Sequence, residues 1–189
     1  MRVIMLAPPG AGKGTQSERV AARYGVPHIS SGDIFREESA RQTPVGERLR
    51  GYLQAGDLVP DDLVLSLIRD RVVTAAEKSG GYVLDGFPRT LAQAEAAAEI
   101  GRKTKTSAQA VVYLDAPPDV LIARIADRGE NRADDSAAVA RHRLEVYTEH
   151  TQPLVDYYTG RGLLVKVDAA LPVDAVSQEI FAALDRIKN

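Results

Sequence analysis

Residues 7–15 read APPGAGKGT. The strand-like run RVIML (2–6) leads into this stretch, and a helix-period segment (13–24) continues from it. Gly10, Gly12 and Gly14 let the backbone bend so that successive N–H groups converge, and the start of a helix adds its own positive dipole end. Lys13 contributes a mobile point charge and Thr15 a hydroxyl. A loop of this make-up cradles phosphates. It departs twice from the strict pattern G-x-x-x-x-G-K-[ST], because Ala7 stands at the first glycine and Gly14 at the Ser/Thr position. If Ala7 needs a left-handed backbone, its Cβ costs about 1–2 kcal/mol. If Ala7 simply ends the strand, alanine costs nothing.

The rest of the chain repeats the strand-then-helix pattern. Strand candidates are RVIML (2–6), PHI (27–29), GYVLD (81–85), AVVYLD (110–115) and LLVKV (163–167). Helix-period segments cover 13–24, 31–41, 44–54, 60–78, 90–100, 117–128, 135–158 and 172–187. Apolar, partly β-branched strands alternating with helices predict an α/β fold, a parallel sheet covered on both faces. Two excursions, 30–59 and the polar loop DRGENRADD (127–135), are too polar for a core. At the carboxyl ends of strands, such segments hold ligands or move as lids. The stretch 101–109 reads as a plain surface connection, His28 as a core histidine, and Tyr157 and Tyr158 as packing residues.

A chain of 189 residues fits one domain. Its net charge of −2 provides no overall basic field for nucleic acid or anionic membrane. The absence of cysteine excludes disulfides, thiol catalysis and cysteine-ligated zinc, and His28, His142 and His150 are too scattered to form a zinc site. VIMLA (3–7) is too short for a signal peptide, and no run is long enough to span a bilayer, so a soluble cytoplasmic protein is expected.

APPGAGKGTQ resembles the G-x-P-G-x-G-K-G-T-Q loop of adenylate kinases and related nucleoside-monophosphate kinases, in which glycine follows the lysine and threonine comes next. ISSGDIFR (29–36) is similar to their I-S-T-G-D-x-x-R block, with Ser31 in place of threonine, and DGFPRTLAQA (85–94) to their D-G-F-P-R-T-x-x-Q-A block. The three blocks occur in the family's order and spacing, and the resemblance runs along essentially the whole chain. It implies a P-loop three-layer sandwich with a central parallel five-stranded sheet, an AMP-binding flap (30–59) and a short lid (127–135) within one domain, 1–189.

By this resemblance Gly10, Ala11, Gly12, Lys13, Gly14 and Thr15 hold ATP, and Asp85 holds Mg²⁺ through water, with Thr15 a further candidate. Arg36 and Arg89 are planar forks suited to clamp a monophosphate. Ser31, Asp57, Leu58, Val59, Gly86, Phe87, Pro88 and Gln93 complete the AMP site, with Gln93 reading adenine. Asp33 is either a second carboxylate near the metal or a residue placed to favour a helix N-terminus. RGENRADD followed by VARHRLEVY is similar to the lid segment of short-lid members. On that match Arg124 lies near the ATP adenine together with Leu171, Arg128 meets ATP phosphates, and Arg132 and Arg143 reach the transferred phosphoryl group and AMP. Arg141 maps to no functional position and is left on the helix surface. Asp134 and Asp135 would orient arginines. Long-lid members carry an insertion here, sometimes with zinc ligands; this chain has neither, so no zinc is expected.

The resemblance therefore implies Mg·ATP + AMP ⇌ 2 ADP, with Lys13, Arg89, Arg128, Arg132 and Arg143 carrying catalysis in a monomer. Alternatives are a UMP/CMP kinase on the same fold, against which Gln93 argues, a sensor of adenine nucleotides without turnover, and a P-loop kinase for a non-nucleotide acceptor.

Overall fold

The computed structural model describes residues 1–128 and 137–188. Strands β1 (Arg2–Leu6), β2 (His28–Ser30), β3 (Tyr82–Asp85), β4 (Ala110–Asp115) and β5 (Leu164–Asp168) form one sheet in the order β2-β3-β1-β4-β5. Every pair is parallel, with Ile4 beside Leu84 on one side and Val111 on the other. All strands therefore end at one edge of the sheet, where the segments that follow β1, β2 and β3 meet.

Side chains alternate across a strand, and the two cores divide accordingly. Val3, Met5, Val83, Val112 and Leu114 pack with α1 (Lys13–Tyr24) and α9 (Val173–Lys188) through Val20, Ile180 and Leu184. Ile4, Leu6, Leu84, Val111 and Tyr113 face the other way. They pack with α2 (Ser31–Ser39), α3 (Pro44–Ala55), α4 (Asp61–Ser79), α5 (Leu91–Thr104) and α8 (Leu154–Thr159). The remaining helices are α6 (Pro118–Arg128) and α7 (Ala137–Val146). The result is the expected three-layer α/β sandwich around a five-stranded parallel sheet. Among the described residues no helix is long and apolar enough to cross a membrane.

Two sequence expectations need correction. The helical pattern over 135–158 breaks in its described part: α7 passes into a π-helical turn (Tyr147–Thr151), and α8 begins after Pro153. Proline has no N–H and its ring crowds the preceding turn, so the backbone widens there, and Gln152 N–H reaches Tyr147 O at 2.8 Å. The supposed surface connection 101–109 is partly helix, because α5 runs to Thr104. Lys105 (φ 59°) ends it in a left-handed cap, with its N–H on Gly101 O, and Gly101 lies flat against Ser107 where a Cβ would not fit. The Tyr157 and Tyr158 rings pack edge to face at 5.0 Å, as packing residues would.

The α2–α3 excursion is stitched to the sheet by its own caps and one anchor. Ser30 and Thr43 side chains accept from Asp33 N and Gly46 N at the starts of α2 and α3. Leu49 of α3 is fully buried in the core shared with α4. Leu49→Ala is expected to destabilise the protein by about 2–5 kcal/mol, the range for truncating a buried leucine, as read by urea unfolding.

Candidate active site

The loop between β1 and α1 adopts the predicted shape and settles the question of Ala7. Gly10 (φ 87°) and Gly12 (φ 82°) are left-handed, whereas Lys105 is the one non-glycine residue with positive φ among those described. Ala7 is buried at the end of the strand and carries no such strain. Gly10 is constrained twice, because a Cβ there would lie 2.8 Å from Leu121 O and 3.0 Å from Ile125 Cγ1 of α6. Gly14, by contrast, is an ordinary helical residue in open space. Gln16 N–H reaches Gly12 O at 3.2 Å, so the amides of Gly14 and Thr15 precede the helical ladder, at an end favourable to anions.

Lys13 Nζ pairs with the carboxylate of Asp85, the buried last residue of β3. Ser17 Oγ donates to Lys13 O at 2.8 Å and lies 3.4 Å from Asp85 Oδ2. His28 lies beside them rather than in the core, with Nε2 3.4 Å from Asp85 Oδ2 but without a hydrogen-bond partner. Burial lowers its pKa, against the pull of Glu18 and Asp33 and with the help of Lys13, which favours a neutral imidazole.

Across the cleft, Arg89 Nε donates to Gly86 O at 2.9 Å, and Thr151 Oγ1 holds Arg89 O at 2.9 Å. No carboxylate pairs with Arg89 among the described residues. Crowding by surrounding protein, then the charges of Arg143 and Arg36, lower its pKa, although a guanidinium stays protonated. Arg36 Nη2 lies 2.5 Å from Asp33 Oδ1, so Asp33 serves as a local partner on α2. Gly86 (φ 80°) sits directly on Ser31 Oγ, which is buried without a hydrogen-bond partner. Gln93, 2% exposed, accepts from Arg89 N–H at 2.8 Å and donates to Asp61 Oδ1 at 2.7 Å.

These groups line one cleft of about 480 Å³. It brings together Gly10 to Thr15, Arg36, Asp57, Leu58, Val59, Asp85, Gly86, Pro88, Arg89, Gln93 and Arg143. It leaves out four expected residues: Ser31, Phe87, Arg124 and Leu171, of which Ser31 is fully buried beneath Gly86. Phe87 is turned into the core, whereas Pro88 lines the cleft. Arg124 and Leu171 stand apart from the lining but near each other: Arg124 Nη1 donates to Ala169 O at 2.7 Å, two residues before Leu171. Arg128 closes α6, and Arg132, Asp134, Asp135 and most of the 127–135 loop lie outside the described residues. Glu18, His28, Tyr147 and Thr151 also border the cleft and were not expected there.

A cleft with a glycine loop and lysine at one end and converging arginines at the other suits two phosphate-bearing ligands. The chain matches the family described as adenylate kinase over residues 5–163. The chain belongs to the adenylate kinase family. The adenylate kinase of Thermus thermophilus is 50% identical over 184 residues, covering 96% of each chain. That of Kocuria rhizophila is 44% identical over 187 residues, covering 98% of this chain and 99% of its own. Adenylate kinase 1 of Nostoc sp. is 45% identical over 183 residues, covering 97% and 98%.

Within this adenylate kinase-family cleft, His28 gives a pH signature. Its folded pKa lies below the ordinary value of 6.5, so just below pH 6.5 the unfolded chain binds the proton more readily. This contribution to stability is complete above pH 6.5 and is lost as the pH falls toward the folded pKa. His28→Gln should flatten that part of the stability–pH profile in urea titrations, whereas an unchanged slope would place its origin elsewhere.

Proposed function

We propose that this family's reaction, phosphoryl transfer between ATP and AMP giving two ADP, runs in this cleft by direct in-line transfer. The observation that carries the division of labour is the meeting of Arg36, Arg89 and Arg143, with no carboxylate paired to Arg89 among the described residues. Like charges repel, and a dianionic monophosphate removes that cost while accepting bidentate, charge-assisted hydrogen bonds. The donor phosphates lie on the amides of the 10–15 loop, and Lys13 turns to them from Asp85. Arg128 and Arg132 join Arg143 around the transferred group, whose transition state is stabilised mainly by position and positive charge.

The exchange at Lys13 frees the Asp85 carboxylate. Asp85 and Asp33 both border the cleft, and oxygen donors of this kind suit Mg²⁺, which takes one or two carboxylates alongside substrate phosphates. Asp85 would hold the ion through water, with Thr15 a further candidate. When bound, Mg²⁺ neutralises charge on the ATP phosphates. No general base is needed, because the attacking AMP oxygen is already an anion. Closure of the flap (30–59) and lid (127–135) over both substrates excludes water, which would otherwise take the phosphoryl group. Gln93, supported by Ser31, reads adenine in the acceptor site, and Arg124 with Leu171 borders the donor adenine. We read the chain as one catalytic unit, 1–189, acting as a cytoplasmic monomer.

The test is ADP formation from Mg·ATP with AMP, UMP, CMP or GMP as acceptor, in the wild type and in Lys13→Ala. AMP should support fast turnover, and Lys13→Ala should lower kcat by about 10²–10³-fold or more, the loss expected when one positioned charge-stabilising group is removed. Preference for UMP or CMP would reassign the acceptor. ATP binding without turnover on any acceptor would make the protein a sensor.

A further inference from the structure

We propose that Asp61, in the first turn of α4, is a positioning residue that sets the base preference of the acceptor site by locking the amide of Gln93 in one orientation. The proposal rests on the reading of Gln93 as the group that faces the acceptor base.

Gln93 is held between two partners of fixed polarity. The backbone N–H of Arg89 can only donate, and the ionised carboxylate of Asp61 can only accept. The first is 2.8 Å from Oε1 and the second 2.7 Å from Nε2. Turning the amide over would set NH₂ against N–H and oxygen against carboxylate, losing both bonds at a side chain only 2% exposed. Unmade hydrogen bonds in a buried setting are costly, so the orientation is frozen. Thr90 Oγ1 fixes the backbone beneath it by accepting from Gln93 N–H at 3.1 Å.

Each end of the amide keeps one unused position, a lone pair on Oε1 and an N–H on Nε2. Gln93 borders the cleft and so offers an acceptor and a donor in a set order. A 6-aminopurine presents a donor at N6 beside a ring-nitrogen acceptor, the pattern a glutamine amide meets with two bonds. A 6-oxopurine presents an acceptor at O6 beside the N1–H donor, which is the reverse order. To bind it equally well the amide would have to turn over, and Asp61 opposes that. Asp61 is not among the cleft-lining residues, so it acts through Gln93 rather than on the ligand. Because it also sits at the start of a helix, where a carboxylate favours the dipole, the test must separate the two roles.

The experiment measures kcat/KM for AMP and for inosine monophosphate, which differ at position 6, in the wild type, Asp61→Ala, Asp61→Glu and Gln93→Met. Asp61→Ala should lower the AMP-to-inosine-monophosphate preference about tenfold, corresponding to about 1.4 kcal/mol, with kcat at saturating AMP retained. Asp61→Glu keeps a carboxylate and should restore much of the preference. Gln93→Met should also collapse it. If Gln93→Met reduces the preference while Asp61→Ala shifts both acceptors alike, or lowers only Tm, Asp61 serves the helix and the proposal fails. If Gln93→Met leaves the preference intact, the reading of Gln93 itself falls, and the proposal with it.

Discussion

The mutual repulsion of Arg36, Arg89 and Arg143 is the constraint to which the rest of the site answers. Arg89 is secured through its own carbonyl by Thr151 and through its Nε by Gly86, contacts that fix its position without neutralising its charge. Folding therefore holds a set of cations in place against their mutual preference to separate. The cost is local and the benefit is selective, because an anion with several oxygens relieves it at once. The parallel sheet makes this possible by ending every strand at the same edge, so residues far apart in sequence meet there.

Asp85 has the opposite setting, at the glycine-loop end of the cleft. Its buried carboxylate has Lys13 as partner, and neutral His28 and Ser17 add no further charge. A buried carboxylate left without a partner would be expensive, and Lys13 supplies that partner. The two ends of the cleft thus differ in their electrostatics: a lysine–aspartate pair at one, and at the other Arg89, close to Arg143 and Arg36 and paired with no carboxylate among the described residues.

Much of this was legible in the sequence because it rests on local signals. The strands, the glycine loop and most helices follow from periodicity and from Gly, Ser and Thr at element boundaries. The three blocks carrying Lys13, Arg36, Asp85, Arg89 and Gln93 were identifiable by their resemblance to the family's motifs. What could not be read depends on long-range contact. His28 lies in a three-residue strand too short to show which face is solvated, and only the neighbouring β3 places it against Asp85. Thr151 reaches Arg89 from 62 residues away, through a π turn that periodicity reads as ordinary helix. Phe87 is turned away from the cleft by the backbone course between Gly86 and Pro88, which composition does not reveal.

The most direct test of the arginine cluster is calorimetric binding of AMP and adenosine to the unliganded protein. Both share the base and ribose, and only AMP carries the phosphate. If the cluster is a monophosphate site, AMP should bind more tightly by about 3 kcal/mol or more, roughly the value of two charge-assisted hydrogen bonds. The difference should shrink in Arg89→Ala. Equal affinities for AMP and adenosine in the wild type would contradict the account, because the converging guanidinium groups would then have no anion to hold.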